Sequence, residues 1–301
     1  MGDPDLPCSH LDIMIPFAGS VELLREAVVS VLNQSDPNWR LNVVEDGLQD
    51  ASVSQWLTRL GDPRIVHTLN EHNLGVARNF QRCLELSTAD YVTFMGCDDR
   101  LLPDYVRVVR RSWSSAIGVD VVQPGVRIID HQGLPTKPLG DRVKAVLARR
   151  HSEGVYGGEA LLASLMIGNW TYFPSLSWRR SIITKHGFRK DLGTVLDLAL
   201  LAQLVMSGSQ LFIEPEIVFE YRRHPQSVSS LTAKRADRFV EERRVTADVA
   251  RTATRMGWRR ATHAAQIRLT SRLHAALLLA RPEALRAESV RRELIRHVFF
   301  G

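Results

Sequence analysis

Acidic side chains stand at three places in this 301-residue chain where they could do chemistry together. Glu45-Asp46-Gly47 follows Val43-Val44, and Asp98-Asp99 follows the Tyr91 to Met95 run through Gly96-Cys97. Asp197 is the sole acid between Leu192 and Ile213, inside Thr194-Val195-Leu196-Asp197-Leu198-Ala199-Leu200-Leu201. Adjacent carboxylates do not both stay ionised cheaply unless a cation sits between them. A hard divalent ion with oxygen ligands, Mn²⁺ or Mg²⁺, meets that need. Such an ion also binds a diphosphate and neutralises the charge that grows on a leaving group. Taken alone, Asp98-Asp99 equally well begins a loop or caps the helix entered through Leu102-Pro103-Asp104. Asp197, taken alone, is equally a first-turn helix acid favoured by the dipole. Its apolar surroundings make burial costly unless it is partnered or used.

These residues need a frame that brings them together, and the first half of the chain supplies one. Leu11 to Ile15 is an apolar run ending at Pro16, which cannot continue a central strand. Leu24, Ala27, Val28, Val31 and Leu32 recur at helical spacing. Leu41 to Val44, Ile65 to Leu69 and Tyr91 to Met95 read as strands, with helices through Trp56 and Leu60 and over Asn73 to Leu86 between them. Such alternation argues for a largely parallel sheet covered by helices on both faces. In an open sheet of this kind, ligands bind beyond the carboxyl ends of the strands where the strand order reverses. The acids at two such ends should therefore converge on one crevice.

Beyond residue 115 the pattern loosens. Val119 to Val122 and Val126 to Ile129 read as strands, His131 to Val143 as a loop, Gly158 to Ile167 as a helix and Leu192 to Met206 as a long apolar helix. Leu211 to Ile213 and Val218 to Tyr221 return as strands, and after Ser230 nearly everything has helical periodicity. There is no internal repeat.

Composition closes off several classes. Hydrophobic residues make up 45% and charged residues 24%, the balance of a globular protein. No apolar run reaches the roughly 18 residues needed to cross a bilayer. Met1 to His10 lacks a basic region followed by an apolar one, so no secretory signal is expected. Cys8, Cys83 and Cys97 are too few and scattered for a disulfide framework, which points to a reducing cytoplasm. No Gly-x-Gly-x-x-Gly follows the first strand and no Walker loop appears, which disfavours a dinucleotide-dependent oxidoreductase and an NTPase. Of the net charge of +6, the segment 232–301 carries 16 basic against 7 acidic residues, so the basic character lies at the C-terminal end. Those helices either present ordinary solvated faces, pack on the rest of the chain, mediate a homodimer, or dock through their arginines on an anionic membrane. No nucleic-acid partner is expected.

The ordered series Ile13-Met14-Ile15-Pro16-Phe17, Val43-Val44-Glu45-Asp46-Gly47, Asn73-Leu74-Gly75-Val76-Ala77-Arg78-Asn79 and Tyr91 to Asp99 resembles the nucleotide-binding half of bacterial family 2 glycosyltransferases. The resemblance spans roughly residues 10 to 230 and implies the GT-A fold: an α/β, Rossmann-like, mostly parallel sheet flanked by helices, here with an α-helical C-terminal extension. It implies a catalytic domain over 1–230, nucleotide-binding at about 10–115 and acceptor-binding and catalytic at about 116–230, followed by the helical extension 231–301. By resemblance, Pro16, Phe17 and Ala18 with Glu45 and Asp46 hold the nucleotide, Arg78 lies near its phosphates, and Asp98 and Asp99 serve ribose and metal. An arginine suits phosphate because its planar fork binds two oxygens at once. The chain departs from the family in carrying Glu45 for the usual Asp, Gly96 for a frequent third acid, and Phe17-Ala18-Gly19 after the proline. Uridine, thymidine and guanosine donors all remain open.

The resemblance also implies inverting transfer from a nucleoside-diphosphate-sugar to a hydroxyl of a sugar, lipid-linked or small-molecule acceptor. An inverting transfer needs one carboxylate to take the acceptor proton. Asp197 is the candidate, with Asp191 as fallback. The stretch Tyr221-Arg222-Arg223-His224-Pro225-Gln226-Ser227-Val228-Ser229 looks like the family's closing motif, where His224 would complete the metal shell. Trp170 and Tyr172, in Asn169 to Pro174, are assigned to the acceptor because aromatic faces suit sugar rings, although large aromatics equally fill cores. Competing readings are a sugar nucleotidyltransferase-like enzyme, which would need a basic glycine-rich loop after the first strand, and a non-catalytic nucleotide-sugar-binding or scaffold protein.

Overall fold

Alternation along the first strands decides where the two halves of the core lie. In β1 (Leu11–Phe17), Leu11, Ile13, Ile15 and Phe17 point to one face of the sheet and Met14 to the other. In β2 (Trp39–Glu45), Trp39, Leu41 and Val43 join the first face and Val44 the second. This is the period-two signature of a strand buried on both sides. The computed structural model describes residues 10–47, 51–224, 236–280 and 288–300. α1 (Val21–Leu32), α2 (Ala51–Leu60) and α4 (Tyr105–Ser115) cover one face. α3 (Val76–Leu86), α6 (Gly158–Ile167), α7 (Arg180–His186) and α8 (Leu196–Met206) cover the other.

The remaining strands are β3 (Ile65–Leu69), β4 (Tyr91–Phe94), β5 (Arg100–Leu101), β6 (Val121–Ile129), β7 (Gly154–Tyr156), β8 (Ser177–Arg179) and β9 (Leu211–Arg222). They form one sheet in the order β3-β2-β1-β4-β8-β6-β9-β5, with β7 also on β9. The strands β3, β2, β1 and β4 are mutually parallel, and beyond β4 the pairing is mixed. Strand order reverses between β1 and β4, so the carboxyl ends of β1, β2 and β4 open on one crevice, as the pattern of acids requires.

Several expectations are corrected. β1 runs through Pro16 to Phe17: pairing with β4 ends at Met14↔Phe94, so by Pro16 only β2 still flanks the strand. The pieces expected at 119–122 and 126–129 form one strand, as do those at 211–213 and 218–221. The interruptions face each other, because the register of β6 shifts around Gly125 where β9 carries Pro215. The loop expected over 131–143 gives way at Leu139 to α5 (Leu139–Ala148), and α8 begins at Leu196 rather than Leu192.

Among the described residues the chain ends in α9 (Asp237–Arg255), α10 (Arg259–Ile267), α11 (Leu269–Leu279) and α12 (Glu288–Phe299). Val245, Val249 and Ala253 of α9 and Ala261 and Ala265 of α10 close onto the same core as α6 and α8. Phe239, Ala275 and Leu294 tie α9, α11 and α12 into a smaller cluster. No helix among the described residues is long and apolar enough to cross a membrane.

The facing irregularities of β6 and β9 make Gly125 a packing requirement. A side-chain carbon there would lie 2.6 Å from the Pro215 carbonyl oxygen and 2.8 Å from that of Glu216. Gly125→Ala is expected to destabilise the chain by about 1–3 kcal/mol, the usual cost of overpacking. Chemical denaturation checks this, and an unchanged midpoint refutes it.

Candidate functional site

The loop after β4 places Asp98 and Asp99 at the floor of the crevice, and the end of β9 closes over them. Asp99 is buried; its Oδ1 accepts the Arg222 backbone N–H at 2.9 Å, while its Oδ2 is buried with no hydrogen-bond partner. Burial, followed by the neighbouring Asp98 charge, pushes the Asp99 carboxyl well above the usual carboxylate range. Arg222 is itself buried and acts as a staple: it donates to the Asp98 carbonyl at 2.8 Å, to the His131 carbonyl at 3.2 Å and to the Glu26 carboxylate. Two residues on, His224 Nε2 meets Asp98 Oδ2 at 2.8 Å. A side-chain carbon on Gly96 would sit 2.5 Å from Asp99 Oδ2 and 2.8 Å from Asp98 Oδ1. Both carboxylates therefore crowd the space that a side chain at position 96 would need.

Among the described residues, no group of three His, Cys, Asp or Glu side chains is arranged so that it could hold a metal ion. The donors at this spot nonetheless fit a hard divalent ion. They comprise two adjacent carboxylates, one with an orphaned buried oxygen, and an imidazole on the outer carboxylate. The rest of the closing motif, Pro225 to Ser229, lies outside the described residues.

On the nucleotide side, Glu45 at the end of β2 is buried and paired with His67 Nε2 at 2.9 Å. Asp46 is spent differently from expectation. Its carboxylate accepts the N–H of Leu74 at 2.8 Å, the N–H of Gly75 at 3.0 Å and the Asn70 amide at 3.1 Å. It shapes the loop into α3, and with only 2% exposure it has little surface for a nucleotide. Phe17 is also corrected: its ring is fully buried among α1 and β2 residues, so only its backbone reaches the crevice. Pro16 is partly exposed, Ala18 is exposed, and Arg78 is exposed on the first turn of α3.

The opposite wall comes from α5, whose first half falls within the stretch expected to be a loop. Asp141 accepts two hydrogen bonds from Arg223, at 3.0 and 2.7 Å, and one from the Tyr172 hydroxyl at 3.1 Å. One turn on, Lys144 donates to the Thr171 carbonyl at 2.8 Å and lies 4.5 Å from the Tyr172 ring centre. Burial and then the Arg223 charge lower its pKa from 10.5 to about 7, against the pull of Asp197 and Asp141. Asp197, in the first turn of α8, accepts from Asn169 Nδ2 at 2.9 Å. A run of contacts leads from Asp197 toward the end of β9: Asn169, which holds Asp197, also accepts from Thr171 Oγ1 at 2.7 Å, the Thr171 carbonyl takes Lys144, and the neighbouring Tyr172 bonds Asp141, the partner of Arg223. The loop before α8 is held from the C-terminal helices: Glu241 accepts the N–H groups of Gly193 and Thr194, each at 2.8 Å.

Two acceptor-side expectations change. Trp170 is 1% exposed, stacked on His151 at 4.6 Å and bonded through Nε1 to Ser164, so it fills core and offers no face to an acceptor. Tyr172 does line the crevice, with its hydroxyl committed to Asp141. Asp191, the fallback base, is exposed and paired with Arg189 at 2.7 Å. Asp141, Lys144 and Glu241 were not anticipated. The i, i+3 spacing of Asp141 and Lys144 would have placed them on one helix face had residues 139–148 been read as helical.

The family model described as glycosyl transferase family 2 matches residues 12–180, more than half of the chain. MT1568 of Mycobacterium tuberculosis is 24% identical over 241 residues, 77% of this chain and 73% of that protein. The putative colanic acid biosynthesis glycosyl transferase WcaA of Escherichia coli is 29% identical over 99 residues, 33% of this chain and 36% of its own length. Among solved structures, Staphylococcus aureus TarS 1–349 in complex with UDP-GlcNAc superposes with a TM-score of 0.68 at 14% identity, covering 96% of this chain and 81% of that one. The mannosyltransferase PcManGT from Pyrobaculum calidifontis, in complex with GDP-Man and Mn²⁺, gives 0.60 at 16% identity, covering 96% and 85%. The ordered motifs, the sheet that reverses between β1 and β4, and the family match agree: this chain belongs to glycosyl transferase family 2 and is a glycosyltransferase.

Proposed function

We propose that the chain transfers a sugar from a nucleoside-diphosphate-sugar to an acceptor hydroxyl with inversion, using Asp197 as the general base. What supports this reading is that Asp98 meets His224, Asp99 takes the Arg222 N–H, and contacts through Asn169, Thr171, Tyr172 and Asp141 lead from Asp197 to Arg223 beside them. Two fold neighbours, solved in complex with UDP-GlcNAc and with GDP-Man and Mn²⁺, support a donor of this class.

In this reading Glu45 and the backbone around Pro16, Phe17 and Ala18 border the base, and Arg78 approaches the phosphates. Asp98, Asp99 and His224 hold Mn²⁺ or Mg²⁺, which when bound neutralises charge on the departing diphosphate. Asn169 fixes one oxygen of Asp197, which orients the carboxylate toward the acceptor. The acceptor oxygen forms a bond to the anomeric carbon as the bond to the diphosphate breaks. The hydroxyl proton passes to Asp197, and the nucleoside diphosphate leaves with the electron pair.

Asp197→Asn should lower transfer by roughly 10²- to 10⁴-fold, the range for loss of a general base. Release of nucleoside diphosphate in the presence of Mn²⁺ measures this. A variant as fast as wild type refutes the assignment, and donor binding without any turnover in wild type favours a binding protein instead.

The orphaned Asp99 oxygen gives a separate expectation. Removing that buried charge by Asp99→Asn should leave the melting temperature of the metal-free protein unchanged or higher. The same change should abolish the rise produced by Mn²⁺ with UDP or GDP, and EDTA should abolish transfer by wild type. A retained Mn²⁺ response in the variant counts against this metal site.

Lys144 predicts a pH dependence of stability. The unfolded chain keeps the Lys144 proton up to about 10.5 and the folded chain releases it near 7. The unfolded state therefore binds more protons between those values, and this group makes stability rise with pH across that window. Relative to wild type, Lys144→Gln should flatten the rise between pH 7 and 10 in denaturation profiles. Parallel profiles would contradict the burial of the amine.

A further inference from the structure

The helix that supplies Asp141 and Lys144 to the crevice is amphipathic in the reverse sense on its outer side. Leu139, Val143 and Val146 of α5 are 61%, 41% and 58% exposed, at the spacing of one helical stripe. Arg142, Arg149 and Arg150 are exposed beside them. α11 repeats the device: Leu269, Leu273 and Leu277, four residues apart, are 52%, 56% and 56% exposed. The two helices adjoin at Gly168, where an added side-chain carbon would touch Leu147 of α5 at 2.8 Å and Thr270 of α11 at 2.6 Å. Neither helix carries an exposed acid, since Asp141 is their single acidic residue and it is buried.

We infer that the outer faces of α5 and α11 form a docking surface for an anionic lipid bilayer. Leucine and valine side chains enter the boundary between headgroups and acyl chains, while the flanking arginines meet lipid phosphates, the combination that holds an interfacial helix in place. Charge complementarity selects this occupant over a second copy of the chain. A two-fold interface is self-complementary, so it would set Arg142, Arg149 and Arg150 against a face of the same sign. The surface is therefore not confined to the basic C-terminal segment. It includes the outside of a helix whose inside builds the crevice, and docking would set that crevice beside the headgroups.

Flotation of the full chain with vesicles of phosphatidylcholine alone, or with about one third phosphatidylglycerol, tests this. The expected result is binding to the anionic vesicles that weakens steeply as salt is raised. Neutralising three arginines near an anionic surface lowers the partition coefficient by roughly a hundredfold, and reversing them should lower it further. The triple variant Arg142→Glu/Arg149→Glu/Arg150→Glu should thus float little, whereas Arg142→Lys/Arg149→Lys/Arg150→Lys should bind like wild type. Leu273→Ser/Leu277→Ser should also bind less, and circular dichroism confirms that each variant is folded. The inference is overturned by no binding, by equal binding to neutral vesicles, or by a glutamate variant that still binds. It is equally overturned if light scattering shows a dimer that the glutamate variant dissolves, because the face would then belong to a second copy.

Discussion

Two carboxylates side by side at the end of a buried strand are the constraint around which the rest of this molecule is arranged. Asp98 and Asp99 repel each other, and Asp99 is removed from water besides. Such a pair persists only where hydrogen-bond donors and positive charge are supplied from nearby. The sheet supplies them from one place, the end of β9, through the Arg222 N–H, the Arg222 guanidinium on the Asp98 carbonyl, and His224. That delivery depends on β9 running unbroken from Leu211 to Arg222, which in turn depends on the matched irregularity opposite Gly125. A distant glycine in the sheet thus bears on the position of a histidine in the crevice.

The second wall is built by the same logic of paired charges. Arg223 and Asp141 neutralise each other by a two-pronged bond, Tyr172 satisfies a remaining lone pair, and Lys144 ties the same helix to the Thr171 carbonyl. Glu241 reaches from α9 to hold the backbone that leads into α8. The C-terminal helices therefore help to position Asp197, which explains why α9 and α10 share a core with α6 and α8.

What the sequence revealed follows from how local each signal is. β3 and α6 have the bounds read from it, because a β-branched run after Gly61-Asp62-Pro63 and an apolar run after two glycines are complete local statements. The meeting of His224 with Asp98 was accessible only through the resemblance of Tyr221 to Ser229 to the family's closing motif, since no local signal joins positions 126 residues apart. α5 was not legible, because Pro135, Pro138 and Gly140 look like turns and its apolar residues face outward, so periodicity shows no core face. Asp46 and Phe17 illustrate another limit. On an extended chain neighbouring side chains point to opposite faces, so adjacency to a site residue does not place a side chain in the site. Trp170 went to the core for a different reason: residues 168–172 belong to no helix or strand, so the alternation that would set it on the side of Tyr172 does not apply.

The charge balance of the crevice also bears on the order in which ligands enter it. Asp141 and Arg223 cancel, and Lys144, with its pKa near 7, brings only a partial charge at neutral pH. Asp98 and Asp197, joined by Asp99 once it ionises, then set acidic groups against the exposed Arg78, a poor host for a diphosphate arriving alone. A divalent cation reverses that sign at the spot where the Asp99 oxygen is unpartnered. Cation and donor should therefore bind with positive coupling, each raising the affinity for the other as linkage requires. Because the Asp99 carboxyl must release its proton to ligate, the coupling should strengthen as pH rises through the range in which that group titrates.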